Sequence, residues 1–261
     1  MKFRIEKDSL GEVKVPQKAL WGAQTQRALD NFKISGIKFA FPFGRSFIEA
    51  LGIIKYSAAS ANNKLKLLPN NKAAAIKSAS KDVMLGVYDE SFPLDVFQTG
   101  SGTSTNMNAN EVIANVASKK SKLIISANDD VNMSQSSNDV IPTAICISAL
   151  IDMHRILLPN MDGLIKAIDA KMKKVKGNTK TGRTHLMDAM PIDFAQELSV
   201  WKAQLESAKK TLIAATSRMN ELPQGGTAIG TGINTHKDFS KNFCGEVNKI
   251  SKLKTKPAKN F

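Results

Sequence analysis

The sequence predicts a mainly α-helical protein with one small β-hairpin at its N-terminus. Apolar residues recur at helical spacing through most of the 261 residues, and the second half holds two long stripes with steps of three and four. Short helices give way to long ones near residue 138. We therefore expect an N-terminal domain over residues 1–138 and a central helical bundle domain, incomplete in this chain, over residues 139–261.

The first elements are a hairpin and two amphipathic helices. Residues 1–16 alternate charged and apolar side chains on either side of Leu10-Gly11, which is typical of two strands joined by a turn. Two apolar stripes then predict helices. The first stripe contains Phe47, Leu51, Ile54 and Ala58, and the second contains Ile76, Ala79, Val83 and Val87.

Two long helices follow. One is expected to begin at Pro142 and to carry its stripe to Val175, with a kink at Pro159 and with His154 packed inside the bundle. The other is expected to open at Pro191, with its stripe running from Phe194 to Met219. Two such helices cannot bury their stripes on each other alone. Helices from this chain or from other subunits must complete the bundle.

Composition excludes several classes of protein. The formal net charge is +14, but the lysines are spread along the chain and accompany no nucleic-acid motif, so a solvated basic surface is favoured over DNA or RNA binding. No run of eighteen apolar residues predicts a membrane span, and the N-terminus lacks the apolar block of a signal peptide. The two cysteines favour a reducing, cytoplasmic location. No spacing of metal ligands is present, so no metal is expected.

Polar segments precede several predicted helices. TGSGTSTNMNANE at 99–111 and SQSSNDV at 134–140 combine hydroxyls with the free N–H groups of a helix start, which together favour anions. Simple capping explains one or two such residues. A bound carboxylate or phosphate is the better explanation for the whole run of Ser101, Thr103, Ser104, Thr105, Asn106 and Asn108.

Two further segments stay open to more than one interpretation. His185 lies among polar residues in TGRTHLMD at 181–188, where a general acid or base is typically found. GGTAIGTG at 225–232 fits neither common phosphate-binding pattern and is equally well explained as a helix stop followed by a turn.

Four motifs, in order, resemble those of class II fumarases in the aspartase/fumarase superfamily. They are GSGTSTNMNANEVIAN, SQSSNDVIPTA, GRTHLMDAMP and GGTAIGTGINTH, and the resemblance covers essentially the whole chain. It implies an L-aspartase/fumarase-like fold, a homotetramer with active sites built from three subunits, and reversible hydration of fumarate to (S)-malate in the citric acid cycle. It also implies that no metal or organic cofactor takes part.

The resemblance assigns roles to individual residues. His185 matches the catalytic histidine, with Arg183 and Asp188 supporting its loop. The residues matched to substrate binding are Ser101, Gly102, Thr103, Ser136, Ser137, Asn138 and Thr184. Aspartases of the superfamily carry glutamine in place of His185 and threonine within the segment matched by Ser136-Ser137-Asn138, so this chain favours fumarase. An ammonia-lyase, a non-catalytic relative or fragment, and a nucleic-acid binder are the alternatives.

The chain departs from the family pattern in two places. The accessory dicarboxylate site usually begins His-Pro, whereas this chain has Ser126-Ala127 followed by Asn128-Asp129, and a serine cannot replace an imidazole. The sequence also contains no GSSxMPxKxNP segment, which in the family supplies the serine base and a lysine–asparagine pair. We therefore expect a C-terminally truncated fumarase that is inactive by itself.

Overall fold

The computed structural model describes residues 2–38 and 45–261 and confirms the mainly α-helical fold. Eight α-helices are described in this part of the chain: α1 (Ala23–Asn31), α2 (Ser46–Lys64), α3 (Asn70–Met84), α4 (Thr103–Ser121), α5 (Ser137–Asp152), α6 (Leu158–Val175), α7 (Phe194–Met219) and α8 (Phe239–Ser251). The strands are β1 (Phe3–Asp8), β2 (Gly11–Pro16), β3 (Thr179–Thr184), β4 (Met187–Asp193), β5 (Glu221–Leu222) and β6 (Lys256–Pro257).

The chain divides into two compact units. The first contains the residues up to Ala149 together with Asn220–Phe261, and the second contains Leu150–Met219. This grouping differs from the division expected between residues 138 and 139, which stays a prediction for the assembled protein.

The first unit is built around helix α2. Its stripe residues Leu51, Ile54 and Ala58 are fully buried, and α2 packs against α3, α4 and α8. The predicted N-terminal hairpin is confirmed, because β1 and β2 pair antiparallel from Phe3 opposite Pro16 to Asp8 opposite Gly11. The predicted second stripe was one turn too long. Helix α3 ends at Met84, Gly86 turns the chain at a φ of +83°, and Val87 is exposed.

The second unit is a pair of helices joined by a β-hairpin. Ion pairs link Asp162 to Lys209 and Asp169 to Lys202, so α6 and α7 run antiparallel. Between them lies an open, mostly apolar groove of about 620 Å³, lined by residues that include Leu164, Ile168, Leu198, Trp201 and Leu205. No residue of α6 is buried and only Thr216 of α7 is buried, so these two helices leave much of their apolar surface exposed even though they pack on each other.

Three local expectations in this half are corrected. Helix α5 begins at Ser137, so Pro142 lies inside the helix and not in its first turn. Pro191 lies in β4, and the helix begins at Phe194. The kink at Pro159 stays a prediction; a π-helical turn at Met153–Leu157 precedes α6 and accommodates the missing N–H of Pro159 by shifting the hydrogen-bond register. His154, expected to be packed, is exposed in the single chain.

The continuous helical stretch Ser137–Val175 is long and apolar enough, by length and composition, to cross a membrane. This observation is weak evidence for a span, because core helices of globular proteins satisfy the same criterion. Val140, Ile147 and Leu150 of this stretch are fully buried in the fold.

Candidate carboxylate-binding site

The N-termini of α4 and α5 lie side by side. Gly102 precedes α4 in the left-handed region at a φ of +75°, and a Cβ on it would come within 2.8 Å of the Ile141 side chain on α5. One turn into α4, the Asn106 Nδ2 atom donates a hydrogen bond of 2.9 Å to the Ser137 Oγ atom at the start of α5. The fold therefore joins the two polar motifs that the sequence placed 33 residues apart (Thr103 to Ser136).

Exposed hydroxyl groups surround the start of α4. The Ser101 Oγ atom lies 3.3 Å from the Thr99 Oγ1 atom and 3.1 Å from the Thr103 Oγ1 atom. No side chain caps this helix, so its first backbone N–H groups remain available and carry the positive end of the helix dipole. Hydroxyls and N–H groups in this arrangement suit a carboxylate ligand.

At the start of α5, the side chains of Ser136 and Asp139 each accept a hydrogen bond from a nearby backbone N–H group. The Ser136 N–H donates to Asp139 Oδ1 at 2.9 Å, and the Asn138 N–H donates to Ser136 Oγ at 3.3 Å. These two bonds fix the helix start. Asn138 is exposed, and its Nδ2 atom donates to the Ala228 carbonyl at 2.6 Å.

The GGTAIGTG loop is fastened to the same helix start. The Oδ2 atom of Asp139 accepts hydrogen bonds from the Gly225 and Thr227 N–H groups at 3.0 and 2.9 Å. Burial raises the pKa of Asp139, although these N–H groups oppose the shift. A cavity of about 210 Å³ lies here, with Asn138, Asp139, Gly226, Thr227 and Gly230 among its lining residues. The segment is therefore part of the site's framework. It is not a helix stop, because α7 ends at Met219 and β5 lies between that helix and the segment.

Three residues expected to meet a ligand are buried in protein contacts instead. Thr105 accepts a hydrogen bond from Gln98, Asn106 bonds to Lys55 and Ser137, and Asn108 donates to the Ser91 carbonyl at 3.0 Å. Their amide and hydroxyl groups hold the surrounding segments in place. The polar run thus has a surface part, Ser101–Thr103, and a buried part that supports it.

Lys55 and Asp139 were missed by sequence reasoning. Lys55 is fully buried, and its Nζ atom donates to three amide oxygens beneath the two helix starts. The available signal was a single lysine inside the apolar stripe GIIKYSAA, where an unpaired charge would be costly. The role of Asp139 could not be predicted because aspartate is common in the first turn of helices in general.

Thr184 and His185 belong to the second unit. Thr184 ends β3, and His185 occupies the turn to β4 at a φ of +50° with its side chain exposed. Arg183 and Asp188 form an exposed ion pair of 3.4 Å across this hairpin. The histidine therefore stands at the tip of a short hairpin, and not in the loop before a helix that the sequence suggested.

The segment matched to the accessory site forms a compact turn. The Ser126 hydroxyl donates to Asp129 Oδ2 at 2.8 Å and accepts from the Asp129 N–H at 3.1 Å. Ala127 and Asn128 line a polar cavity of about 300 Å³ that also contains Glu6, Asp8 and Glu111. These carboxylates are unfavourable for a dicarboxylate ligand, and the accessory site stays a prediction. Within residues 2–38 and 45–261, no group of three or more His, Cys, Asp or Glu side chains is arranged to hold a metal ion.

Comparison with known proteins shows the family of the chain. A model of a family described as lyase matches residues 11–261. The chain belongs to the lyase family. It is 54% identical over 241 residues to the class II fumarate hydratase of Xylella fastidiosa, which covers 92% of this chain and 50% of that protein. It is 46% identical over 256 residues to the class II fumarate hydratase of Bacillus subtilis, with 96% of this chain and 54% of the relative covered.

A solved structure shows the same fold in a lyase relative. The class II fumarase of Schistosoma mansoni superposes with a TM-score of 0.94 at 35% identity, covering 99% of this chain and 58% of that one. The chain thus spans about half the length of the curated relatives that it matches. The expected L-aspartase/fumarase-like fold and the resemblance to class II fumarases are confirmed.

Proposed function

We propose that the chain forms part of a class II fumarase and that the junction of α4 and α5 binds a carboxylate of fumarate or (S)-malate. The observation that carries the proposal is the 2.9 Å bond from Asn106 to Ser137, which joins the starts of the two helices. Ser101, Thr103 and Asn138 lie exposed around that junction. The relatives named class II fumarate hydratase support the same activity.

The proposed reaction needs stabilised negative charge at the substrate carboxylate. In the dehydration direction, a base removes a proton from C3 of malate, and the electron pair moves into the adjacent carboxylate, giving an aci-form. The hydroxyl then leaves C2 with a proton as water, and the double bond of fumarate forms. Fixed hydroxyl and N–H donors at the helix starts would stabilise the charge that develops in the first step. Hydration follows the reverse path.

His185 is assigned to the water or to the leaving hydroxyl. Its exposed position at a hairpin tip leaves the imidazole free to enter a site shared with other subunits. An imidazole is suited to this role because its ordinary pKa lies close to neutral pH. Thr184, the residue before it, is proposed to bind substrate from the same hairpin.

A homotetramer is proposed from the exposed apolar surface of α6 and α7. Leu164 and Trp201 are about half exposed, at 51% and 54%, beside the apolar groove. Exposed apolar seams of this length mark an interface in most soluble proteins. We propose that helices of other subunits cover them, and sedimentation velocity on the full-length form would test this. A cytoplasmic location and a role in the citric acid cycle belong to the same proposal and rest on cysteine usage and resemblance.

The alternative is an aspartase-type ammonia-lyase, and one assay separates the two reactions. The test protein is a chimera in which residues 1–261 are followed by the remaining C-terminal half of the Xylella fastidiosa relative. We expect it to convert fumarate to malate and to release no ammonia from aspartate. Ammonia release without malate formation would favour the alternative. Residues 1–261 alone, assayed in parallel, are expected to be inactive because the sequence has no GSSxMPxKxNP segment.

A further inference from the structure

Lys55 is a buried cation whose hydrogen bonds are all made to neutral groups. Its Nζ atom donates to Asn106 Oδ1 at 2.8 Å, to Asn132 Oδ1 at 3.0 Å and to Gln135 Oε1 at 3.0 Å. An ammonium group has three N–H donors, so the three amide oxygens satisfy it completely. The side chain of Lys55, on α2, is fully buried. In most proteins a fully buried lysine is paired with a carboxylate.

The bond from Lys55 determines which way the Asn106 amide faces. Because Oδ1 accepts from the ammonium, Nδ2 must point to the other side, where it donates to Ser137 Oγ at 2.9 Å and to Asn132 Oδ1 at 3.3 Å. Ser137 therefore acts as acceptor toward Asn106. Its own hydroxyl hydrogen is left to donate elsewhere, and Ser137 is only half-buried. A donor hydroxyl at a helix start is the group that a carboxylate requires.

The same lysine fixes the connection before α5. With Oε1 of Gln135 bonded to Lys55, the Nε2 atom donates to the Val131 and Met133 carbonyls at 2.9 and 3.1 Å. Asn132 Nδ2 donates to the Gln135 carbonyl at 3.3 Å. One ammonium group therefore holds both the α4 start, through Asn106, and the segment that leads into α5.

The charge of Lys55 is not cancelled by a bonded carboxylate. Asp139 is the carboxylate that acts on it through space, and its own oxygens accept from the N–H groups of Ser136, Gly225 and Thr227. Other charged groups on the segments around α2 have partners of their own: Glu246 with Lys64 and Lys249, Asp130 with Lys72, and Lys77 and Lys81 over the Tyr56 ring. Among the described residues, Lys55 therefore has no carboxylate hydrogen-bonded to it, and the carboxylate that acts on it, Asp139, does so at a distance.

We propose that Lys55 is a positioning residue, which orients Asn106 and, through it, the Ser137 hydroxyl toward a carboxylate ligand. This inference rests on the carboxylate site proposed above. In this proposal the ligand does not contact Lys55. The effect of Lys55 on the ligand is transmitted through the Asn106 amide and the Ser137 hydroxyl. Burial lowers the pKa of Lys55 to about 7, with Asp139 opposing the shift. A bound anion nearby would therefore favour the charged form.

The test measures (S)-malate binding by amide NMR titration of the chimera described above, because the proposed site is shared with other subunits. Lys55→Met keeps an unbranched side chain and removes the charge, and it should weaken malate binding by about 10- to 100-fold, as expected for a lost charge-assisted bond network. The matched control is Lys120→Met, which removes the same charge near the C-terminal end of α4, where Lys120 pairs with Asp82. Binding within about twofold of the unmodified chimera is expected for the control.

A second measurement needs no variant and covers the case in which Lys55→Met does not fold. The ¹⁵Nζ resonance of Lys55 in the unmodified chimera should shift when malate binds, although malate does not contact it. An unchanged Nζ resonance, or unchanged affinity in a folded Lys55→Met chimera, would overturn the inference while leaving the carboxylate site intact. If malate moves no amide at the starts of α4 and α5, the proposed function itself fails at this site, and the inference fails with it.

Discussion

Gly102 lies so close to Ile141 that a Cβ on the glycine would come within 2.8 Å of the Cδ1 and Cγ1 atoms of the isoleucine. This contact sets the distance between the starts of α4 and α5. Gly102 also has a φ of +75°, a conformation that costs an L-residue roughly 1–2 kcal/mol. Two separate physical reasons therefore require glycine here.

The first prediction separates those two reasons. Gly102→Ala should lower the free energy of unfolding by the left-handed strain plus about 1–3 kcal/mol for the clash with Ile141. Gly100→Ala is the matched control, because Gly100 has a φ of +78° and no neighbouring atom within 4 Å of the position that a Cβ would take. Urea denaturation of both variants gives the difference. Equal losses in the two variants would show that the Ile141 contact is unimportant.

The second prediction concerns the exposed side chains of the site. Thr103→Val or Asn138→Leu replaces a polar group with an apolar one, and each should weaken binding of a malate-like inhibitor by about 1.5–3 kcal/mol per lost bond to a charged group. Thr179→Val, at an exposed position of β3, is the control for a threonine elsewhere. Calorimetric titration measures the affinities, and unchanged affinity in both site variants would remove Thr103 and Asn138 from the site.

The third prediction concerns His185 in the chimera described above. His185→Asn should reduce kcat by roughly 10²–10⁴, the range for loss of a general acid–base group. The melting temperature should stay nearly constant, because the side chain is exposed and asparagine tolerates the positive φ of +50°. His236→Asn, at an exposed histidine before α8, should leave kcat unchanged. Activity within about threefold combined with a collapsed melting temperature would make His185 structural.

The fourth prediction concerns acid stability. Burial opposes ionisation of Glu246, but hydrogen bonds from Lys249, Lys64 and Ser60 prevail and lower its pKa to about 2. A depressed carboxyl pKa adds stability that is fully present above the unfolded pKa and is lost as pH falls toward the folded value. The stabilisation should therefore disappear between about pH 4.5 and pH 2.

Glu246→Gln tests that window. The variant should be less stable than the unmodified chain at pH 7, and the gap should narrow as pH falls below about 4.5. Glu12→Gln, an exposed glutamate in β2, should show no such pH-dependent gap. Urea midpoints across the pH series provide the measurement, and a gap that is constant with pH would contradict the assigned ion pairs of Glu246 with Lys64 and Lys249.

Periodicity predicted the helices whose stripes are buried within one chain. The stripe of α2 gave the core of the first unit because each of its residues meets a neighbouring helix. The stripes of α6 and α7 predicted the two helices but not the surfaces that cover them, since a pattern of apolar residues does not specify which surface packs against it. Pro191 misled the assignment of the start of α7, because proline suits a strand position without a required N–H as well as a first helical turn.

Only part of the candidate site could be predicted from the sequence. Ser101, Thr103 and Asn138 were recognisable because clustered hydroxyls and amides exceed what capping needs. Lys55 lies 51 residues from Asn106 in the chain, so their contact arises from tertiary packing alone. The roles of Asn106 and Asp139 were equally hidden, because amide and carboxylate side chains serve ligands and backbone groups alike.

The central claim is that the joined starts of α4 and α5 hold a carboxylate. The most direct test is an NMR titration of the ¹⁵N-labelled chimera with (S)-malate, with the uncharged diamide of malate as the control. We expect the backbone amides of Thr103, Ser104, Ser137 and Asn138 to shift together along one binding curve with malate and to stay unchanged with the diamide. Malate-induced shifts confined to other parts of the chain, or equal shifts with both compounds, would contradict the claim.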